Sequence, residues 1–402
     1  MRSFCKKILA LACTVAASTP AFAQEAASIT EALKSGKTQL HLRFRYESVD
    51  EDTLEDAAAT TLKTRLTYTS GSYKGFGLTL EMDDTSEIGK QDYSDGVTNR
   101  GTAVIGDPEV TEVNQSFISY THGATTAKYG RQRIILDNQR FVGGVGWRQD
   151  EQTFDGFTIA SKPVAGLSLF YGYITDVNRV FAEAQDHNHE SHLLNARYDT
   201  PFGSVIGYGY LLENKTNQTL SSDTFGLRWQ GKAGTYLTYN LEYAQQKDAA
   251  ENPVDYSTDY MLAEINGSIP VAANKINLGV GYEVLGSDDG VAAFTTSLAT
   301  LHAFQGWADK FLTTPAAGIE DIYFSIGTTV KSVTLGFVYH TYSANEGYLN
   351  YGKEYGLVAE TKAGPVGLTL KYADYSADAD APTAVGFTHD TKKLWLMAAV
   401  TF

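Results

Sequence analysis

The sequence predicts an all-β fold, a transmembrane antiparallel β-barrel of about 18 strands with long extracellular loops. Three observations predict it. From residue 40 to the last residue, apolar and polar side chains alternate with a period of two. Short and long connections alternate between these segments. And although 43% of the chain is hydrophobic, no stretch beyond the first 23 residues reaches the ~18 apolar residues that a membrane-spanning helix needs. A membrane protein without such helices must close a barrel, because only helices and closed barrels satisfy every backbone polar group in lipid.

The chain opens with features of a secretory signal. Arg2, Lys6 and Lys7 form a basic start, Ile8 to Ala17 a short apolar stretch, and Ala21-Phe22-Ala23 offers the small residues of a cleavage site. The division expected is therefore a signal peptide over 1–23 and a barrel over 24–402. A competing reading lipidates Cys13, but Ala10-Leu11-Ala12 fits such a signal poorly. Both cysteines, Cys5 and Cys13, fall inside the signal, so a disulfide framework and a thiolate metal site are excluded from the mature chain. Residues 24–36 read as a short helical or flexible periplasmic lead-in.

The strands follow. Leu40, Leu42, Phe44 and Tyr46 share one face of the first, while His41, Arg43, Arg45 and Glu47 share the other. The second sets Leu62, Leu66 and Tyr68 against Lys63 and Arg65, and the third Phe76, Leu78, Leu80 and Met82 against Glu81 and Asp83. Later segments repeat the pattern: Phe225, Leu227 and Trp229 oppose Arg228, and Ile276, Leu278, Val280, Tyr282 and Val284 oppose Asn277 and Glu283. One apolar face and one face of charge and glycine suit lipid outside and water inside. A soluble sandwich shares the period; the connections decide. Short ones lie near 71–75, 121–124, 163–166, 200–203, 231–234, 270–274, 328–331 and 362–365. Long ones lie near 50–59, 84–111, 136–152, 176–190, 213–222, 246–257, 286–317, 343–351 and 374–391. The alternation places all long loops at one end, the external one.

Two of the long segments stand out. Gly130 to Gln149 carries Arg131 and Arg133 on a strand, then Asp137, Arg140 and Arg148 in a loop. Folded inward, this loop narrows the lumen and sets guanidinium groups beside Asp137. With Arg43, Arg45, Lys63 and Arg65 they form a basic stripe along one wall, from the first, second and fifth strands. Guanidinium forks bind carboxylates by two parallel hydrogen bonds, and a low-dielectric pore focuses the field of such a stripe on anions. The competing reading has these bases brace the wall by pairing with Glu47, Glu81, Asp83 and Asp155. The second segment spaces Phe294, Leu298, Leu301, Phe304, Trp307 and Phe311 by three and four, one face of a helix ended by Pro315. It is expected to bury itself in the lumen or over the mouth, with His302, Phe304, Trp307 and Asp309 as a constriction loop.

The chain closes on Leu394, Leu396, Ala398, Val400 and Phe402 on one face, with Trp395, Met397 and Ala399 on the other. Such a terminal strand is the one the barrel-insertion machinery recognises. The chain holds 32 Lys+Arg against 47 Asp+Glu, net −15, and about −18 without the signal. That balance argues against nucleic acid as a partner. Much of the acid lies in the first two long loops, where it solvates them or bridges divalent cations to lipopolysaccharide. His187, His189 and His192 read as solvated loop histidines rather than a zinc site. No Ser, His and Asp signature marks an enzyme, and neither metal nor cofactor is expected.

The segments Arg43-Phe-Arg-Tyr-Glu47, Gly130-Arg-Gln132, Leu136-Asp-Asn-Gln-Arg-Phe141, Trp147-Arg-Gln149, Gln152 to Gly156 and Leu301 to Asp309 resemble the alginate-export family of outer-membrane barrels. The resemblance runs over most of the mature chain. It implies an 18-stranded barrel with inward-folded loops, and Arg43, Arg45, Arg65, Arg131, Arg133, Arg140 and Arg148 as lumen or loop arginines. The best-known members pass an anionic uronate polymer through a strongly basic lumen; here Glu242, Glu264, Glu283, Glu354 and Glu360 mix with the bases. The function expected is a porin of the bacterial outer membrane, in contact with its lipid and lipopolysaccharide, that passes small or oligomeric hydrophilic solutes, anionic ones by preference. The alternatives are a dedicated channel for an acidic polysaccharide such as alginate, and a non-conducting adhesin barrel.

Overall fold

The computed structural model describes residues 25–89, 92–271, 274–379 and 386–402. The proposed signal peptide lies outside them. Among the described residues the strands are β1 Lys37–Glu51, β2 Ala57–Thr69, β3 Phe76–Glu87, β4 Val110–His122, β5 Thr125–Gln132, β6 Thr153–Ser161, β7 Leu167–Asn178, β8 His187–Thr200, β9 Gly203–Leu212, β10 Ser222–Ala233, β11 Leu237–Asp248, β12 Ser257–Val271 and β13 Asn274–Leu285. A two-residue pair follows, β14 Ser287–Asp288 with β15 Ala292–Ala293; then come β16 Ile319–Val330, β17 Val333–Ser343, β18 Asn350–Ala363, β19 Val366–Ala377 and β20 Thr391–Thr401. Leaving out β14 and β15, eighteen strands form one sheet in which each pairs antiparallel with its neighbour in sequence, and β20 returns to β1. Closure leaves no edge strand to aggregate.

The alternation read from the sequence sets the wall. Phe225 and Leu227 are 58% and 57% exposed, while Arg228 between them and Trp229 is 6% exposed. The same holds around the sheet: Leu66, Leu80, Leu241, Ile265, Val280, Ile322 and Leu357 face out and are exposed. An apolar band this continuous is a membrane-facing surface. On the closing strand Trp395 is fully buried on the inner face and Leu396 exposed on the outer, as its period requires. Val284 departs from the expectation. It is buried beside Glu320, its partner in the sheet, whose carboxylate accepts from Tyr282 and Asn345.

The connections at one end are tight, for example 123–124, 201–202 and 331–332; the other end carries 88–109, 133–152 and 286–318. The first long connection spans only 52–56, because β1 and β2 run further than the sequence suggested. The lead-in contains helix α1, Ile29–Lys34, whose start is capped by the Ser28 side chain. It docks on the β2–β3 turn through Gly71 N–H to Ala32 O at 2.8 Å and Ala26 N–H to Ser72 O at 2.9 Å.

Candidate functional site

The interior is set by two loops that turn inward. Loop 133–152 carries Ile134, Leu136, Phe141, Val142 and Trp147, and loop 286–318 carries Phe294, Leu298, Ala308 and Phe311; all are buried. On the outside of the barrel mouth these side chains would meet water. Inside, they pack against Tyr208, Tyr210, Tyr260, Tyr342, Tyr375 and Trp395 of the wall. The loops are also zipped to each other. Gly143 N–H donates to Leu298 O at 2.9 Å, Thr300 N–H to Gln139 O at 3.0 Å, and Gln152 Nε2 to Leu298 O at 3.0 Å. Gly143 permits this approach, since a Cβ there would stand 2.3 Å from Thr300 Oγ1.

Loop 286–318 does not form the helix that its apolar spacing predicted. It holds the two-residue pair of β14 and β15 and a single 3-10 turn, Leu301–Ala303, and is otherwise irregular. Backbone groups that a helix would pair internally go elsewhere: the Trp307 and Ala308 N–H groups donate to Glu354 on β18. Tertiary partners thus override the local period. The burial predicted for this segment does occur.

The basic stripe is present, but it is neutralised. Lys63 pairs with Asp83 at 2.8 Å, and Arg65 forks onto Asp83 while reaching Glu151 at 2.8 Å. Arg133 joins Glu151 at 2.5 Å and Glu81 at 2.9 Å. Burial pushes the Glu151 carboxyl up, but Arg133, Arg65 and Lys63 outweigh it and hold it well below the ordinary range. Arg45 bonds Asp107 of loop 88–109 at 3.0 Å, and Arg148 bonds Glu47 at 3.0 Å and Asp309 at 3.2 Å. Arg43 donates to Gln149 Oε1 at 2.7 Å and to the carbonyls of Gly146 and Arg148. These bases therefore clamp the loops to the β1–β3 wall.

Two expectations fail here. Arg131 does not face the lumen. Its neighbours Lys128, Gly130 and Gln132 lie on the inner or alternate positions, Gln132 being buried against Thr158, so Arg131 points outward with exposed Tyr129. Its partner is Asp155, at 2.9 Å and also outward. Arg133 turns inward only because the strand ends at Gln132. Nor does Arg140 sit beside Asp137. It crosses to Glu283 of β13 at 2.6 Å, to Gln305 at 3.0 Å and to Thr296 at 3.2 Å, under the Phe304 ring at 4.7 Å. Asp137, at a φ of 51°, is exposed to the lumen and accepts from Asn195 of β8 at 2.8 Å.

Next to the β1 bases, along β19 and β20, His302 stacks flat on Trp147, with ring centroids 4.2 Å apart. Its Nδ1 lies 2.6 Å from Asp309 and its Nε2 2.7 Å from Lys371 Nζ. A neutral imidazole fits both, donating from Nδ1 and accepting at Nε2. Burial holds His302 well below its ordinary pKa despite the charge of Asp309. Lys371 Nζ in turn lies 4.2 Å from the Trp147 ring and 3.9 Å from Trp307, with Trp395 at 5.6 Å. One strand lysine thus holds an indole from each loop. The stretch from His302 to Asp309 packs inside the barrel; the sequence analysis did not single out Lys371, whose only signal was a cation on the inner face of β19. His187, His189 and His192 lie on β8 rather than in a loop; His189 faces in, and His192 faces out against Tyr171. Among the described residues no three His, Cys, Asp or Glu side chains are arranged to hold a metal.

The alginate export family profile matches residues 36–256, more than half of the chain. No curated protein matches it. Among solved structures, Pseudomonas aeruginosa OpdK with vanillate is similar at 15% identity and a TM-score of 0.69, covering 92% of this chain and 99% of that one. Acinetobacter baumannii OccAB4 is similar at 14% identity and a TM-score of 0.70, covering 92% and 98%. Pseudomonas aeruginosa OccD3 (OpdP) is similar at 17% and 0.64, covering 91% of each. These likenesses show the 18-stranded fold.

Proposed function

The chain belongs to the alginate export family, and from that premise we propose that it is a bacterial outer-membrane porin, a passive diffusion channel for small or oligomeric hydrophilic solutes, anionic ones by preference. The observation that carries this reading is the pair of inward loops, fastened to opposite walls of a closed barrel with an apolar exterior. They narrow the lumen of an 18-stranded barrel, which is otherwise wide enough for a water channel.

The anion preference now rests on different residues. The arginines expected to supply it are all engaged by other groups, most of them buried or nearly so, and Arg131 is on the outer face. Towards the short-turn end, the inner face carries Lys37, Lys128, Arg197, Lys232, Lys275 and Lys362 against Asp199, Glu264 and Glu360. Arg197 is a third exposed, and its Nε and Nη2 are held by Asp199 and Ser204. Asp137 and Ile135 are exposed at the start of loop 133–152, and Asn195, half-buried, donates to Asp137. We assign solute contact to these groups and a clamping role to Arg43, Arg45, Lys63, Arg65, Arg133, Arg140 and Arg148. The likeness to a barrel solved with vanillate, a small carboxylate, supports small solutes. Family membership favours a second reading, a channel for an acidic polysaccharide. The zipped loops weigh against it, because a polymer needs an uninterrupted passage.

In the same reading, Phe402, 70% exposed and bonded through its backbone to Leu40, is the residue that the barrel-insertion machinery takes hold of. The test of the function is the reversal potential of the refolded channel in a planar bilayer under a salt gradient, then with oligouronates added. Anion preference without block supports the small-solute porin. Block by oligouronates supports the polysaccharide channel, and a folded barrel without conductance rejects both and leaves the adhesin.

A further inference from the structure

At the short-turn end of the barrel, helix α1 leaves two apolar side chains uncovered. Ile29 is 64% and Leu33 46% exposed. They stand four residues apart and so share one face of the helix, one above the other. Ala32 is the helix residue that is buried.

The contacts of α1 put it on the outer lip of the barrel. Tyr68 belongs to the outer face of β2, two residues past Leu66 and opposite Leu80, both of them exposed to the outside. Thr67 between Leu66 and Tyr68 turns inward, where its hydroxyl donates to Glu81. The Tyr68 hydroxyl donates to the Leu33 carbonyl, and a Cβ at Gly36 would stand 2.4 Å from the Tyr68 ring. Gly71 N–H donates to Ala32 O at 2.8 Å and Ala26 N–H to Ser72 O at 2.9 Å, so the segment is fixed to the β2–β3 turn at two points. The level of these contacts is that of an aromatic belt. Phe76 and Tyr120 are exposed beside Tyr68 on the outer face, with rings 4.7 Å apart, and Phe202 and Phe402 are exposed at the same end. Such belts border the lipid-facing band, with their hydroxyls at the headgroups. Here the Tyr68 hydroxyl meets a helix carbonyl, which sets α1 at the headgroup level beside the wall.

We propose that α1 is a lipid-seated foot, whose Ile29 and Leu33 enter the inner leaflet of the outer membrane where headgroups meet acyl chains. The occupant of this face is phospholipid, because the face continues the lipid-facing surface that the barrel wall already has. Facing water, the two side chains would be an apolar step at its edge; in the leaflet they are buried as on any interfacial helix. Lys34, exposed on another side of α1, keeps its ammonium in the polar layer. The seat holds residues 25–36 to the outer lip and keeps them clear of the opening through which solutes pass. It rests on the outer-membrane reading but is independent of which solute the channel takes.

The test is the depth of single nitroxide labels. Both cysteines, Cys5 and Cys13, fall in the proposed signal, so a barrel refolded without residues 1–23 carries no competing thiol. Labels are set at Ile29→Cys and Leu33→Cys, with Lys34→Cys on the other side of the helix and Leu227→Cys on the outer wall as references. The vesicles are of phosphatidylethanolamine and phosphatidylglycerol, and folding is checked by heat-modifiable migration. The ratio of accessibility to oxygen over a water-soluble nickel chelate should be several times higher at 29 and 33 than at 34, and should approach that at 227. Labels at 29 and 33 as open to nickel as the one at 34, with 227 shielded, overturn the foot and leave that face to a periplasmic protein. A label at 227 open to nickel in the folded barrel overturns the membrane reading, and the foot with it.

Discussion

Replacing Arg140 by methionine removes a side chain that ties both inward loops to the wall opposite the basic cluster. Arg140 is 1% exposed and bonds Glu283 at 2.6 Å, Gln305 at 3.0 Å and Thr296 at 3.2 Å. Methionine keeps much of the aliphatic volume but strands Glu283, which is 3% exposed. Removing one partner of a buried ion pair costs about 3–5 kcal/mol, and each lost neutral hydrogen bond about 1 kcal/mol. Gln305 and Tyr260 still donate to Glu283 and soften the loss. A second change, Glu283→Gln, removes the stranded charge, so the double variant should recover most of the pair's share. The assay is a double-mutant cycle by denaturant unfolding in detergent, with channel noise recorded in parallel. Arg140→Met should lose about 3–5 kcal/mol or, if the loops release first, show frequent conductance steps. A loss under about 1 kcal/mol with quiet conductance, or a double variant as unstable as the sum of the singles, refutes the clamp.

Three further outcomes follow from the same contacts. Arg131→Gln should leave conductance and selectivity unchanged and shift stability by less than about 1 kcal/mol, because its pair with Asp155 is partly exposed on the outer face; a changed reversal potential would put Arg131 back in the lumen. His302 is held neutral when docked, whereas a released loop binds a proton on it below about pH 6.5. Docking of loop 286–318 therefore weakens as the pH falls from 6.5, by at most about 1.4 kcal/mol per unit from this group. Asp309, held low by His302, Lys393 and Arg148 against its burial, adds to the loss only below about pH 3.8. Acid-induced channel noise should thus begin near pH 6 and shift in His302→Gln; an onset that stays the same in the variant would rule His302 out. Finally, a Cβ at Gly356 would stand 2.5 Å from the Trp307 ring. Gly356→Val should expel that indole, shift its fluorescence to the red and raise conductance, while the barrel still migrates as folded; an unshifted emission would show that Trp307 does not rest there.

The wall was legible because a strand's period of two is local: each outward Leu or Phe and each inward Arg or Glu follows from its neighbours at ±2. Arg131 shows where that fails. The run Arg131-Gln-Arg133 looks like two inward residues, but Arg131 lies on the outer face of β5 and only Arg133, past the strand end, turns in. The loops' destination was legible too, from Trp147, Phe294 and Phe311 in segments that would otherwise be solvated. Their conformation was not. The spacing of Leu301, Phe304 and Trp307 suits a helix, yet Glu354 and Gln139, far away in sequence, take the backbone groups. Charge partners were the least legible. Four of the wall acids were foreseen, but Asp107 and Glu151 come from loops, and no spacing rule reaches across a barrel. That is why a stripe of bases read as an attractive field proves to be a set of closed ion pairs.

The most direct test of the account is single-channel conductance of the wild type beside a variant in which residues 290–312 are replaced by a short Gly-Ser linker. If the two inward loops form the constriction of a water-filled passage, the shortened variant conducts several times more current and admits larger neutral solutes, with the barrel intact. Equal conductance in the two, or none in either, contradicts it.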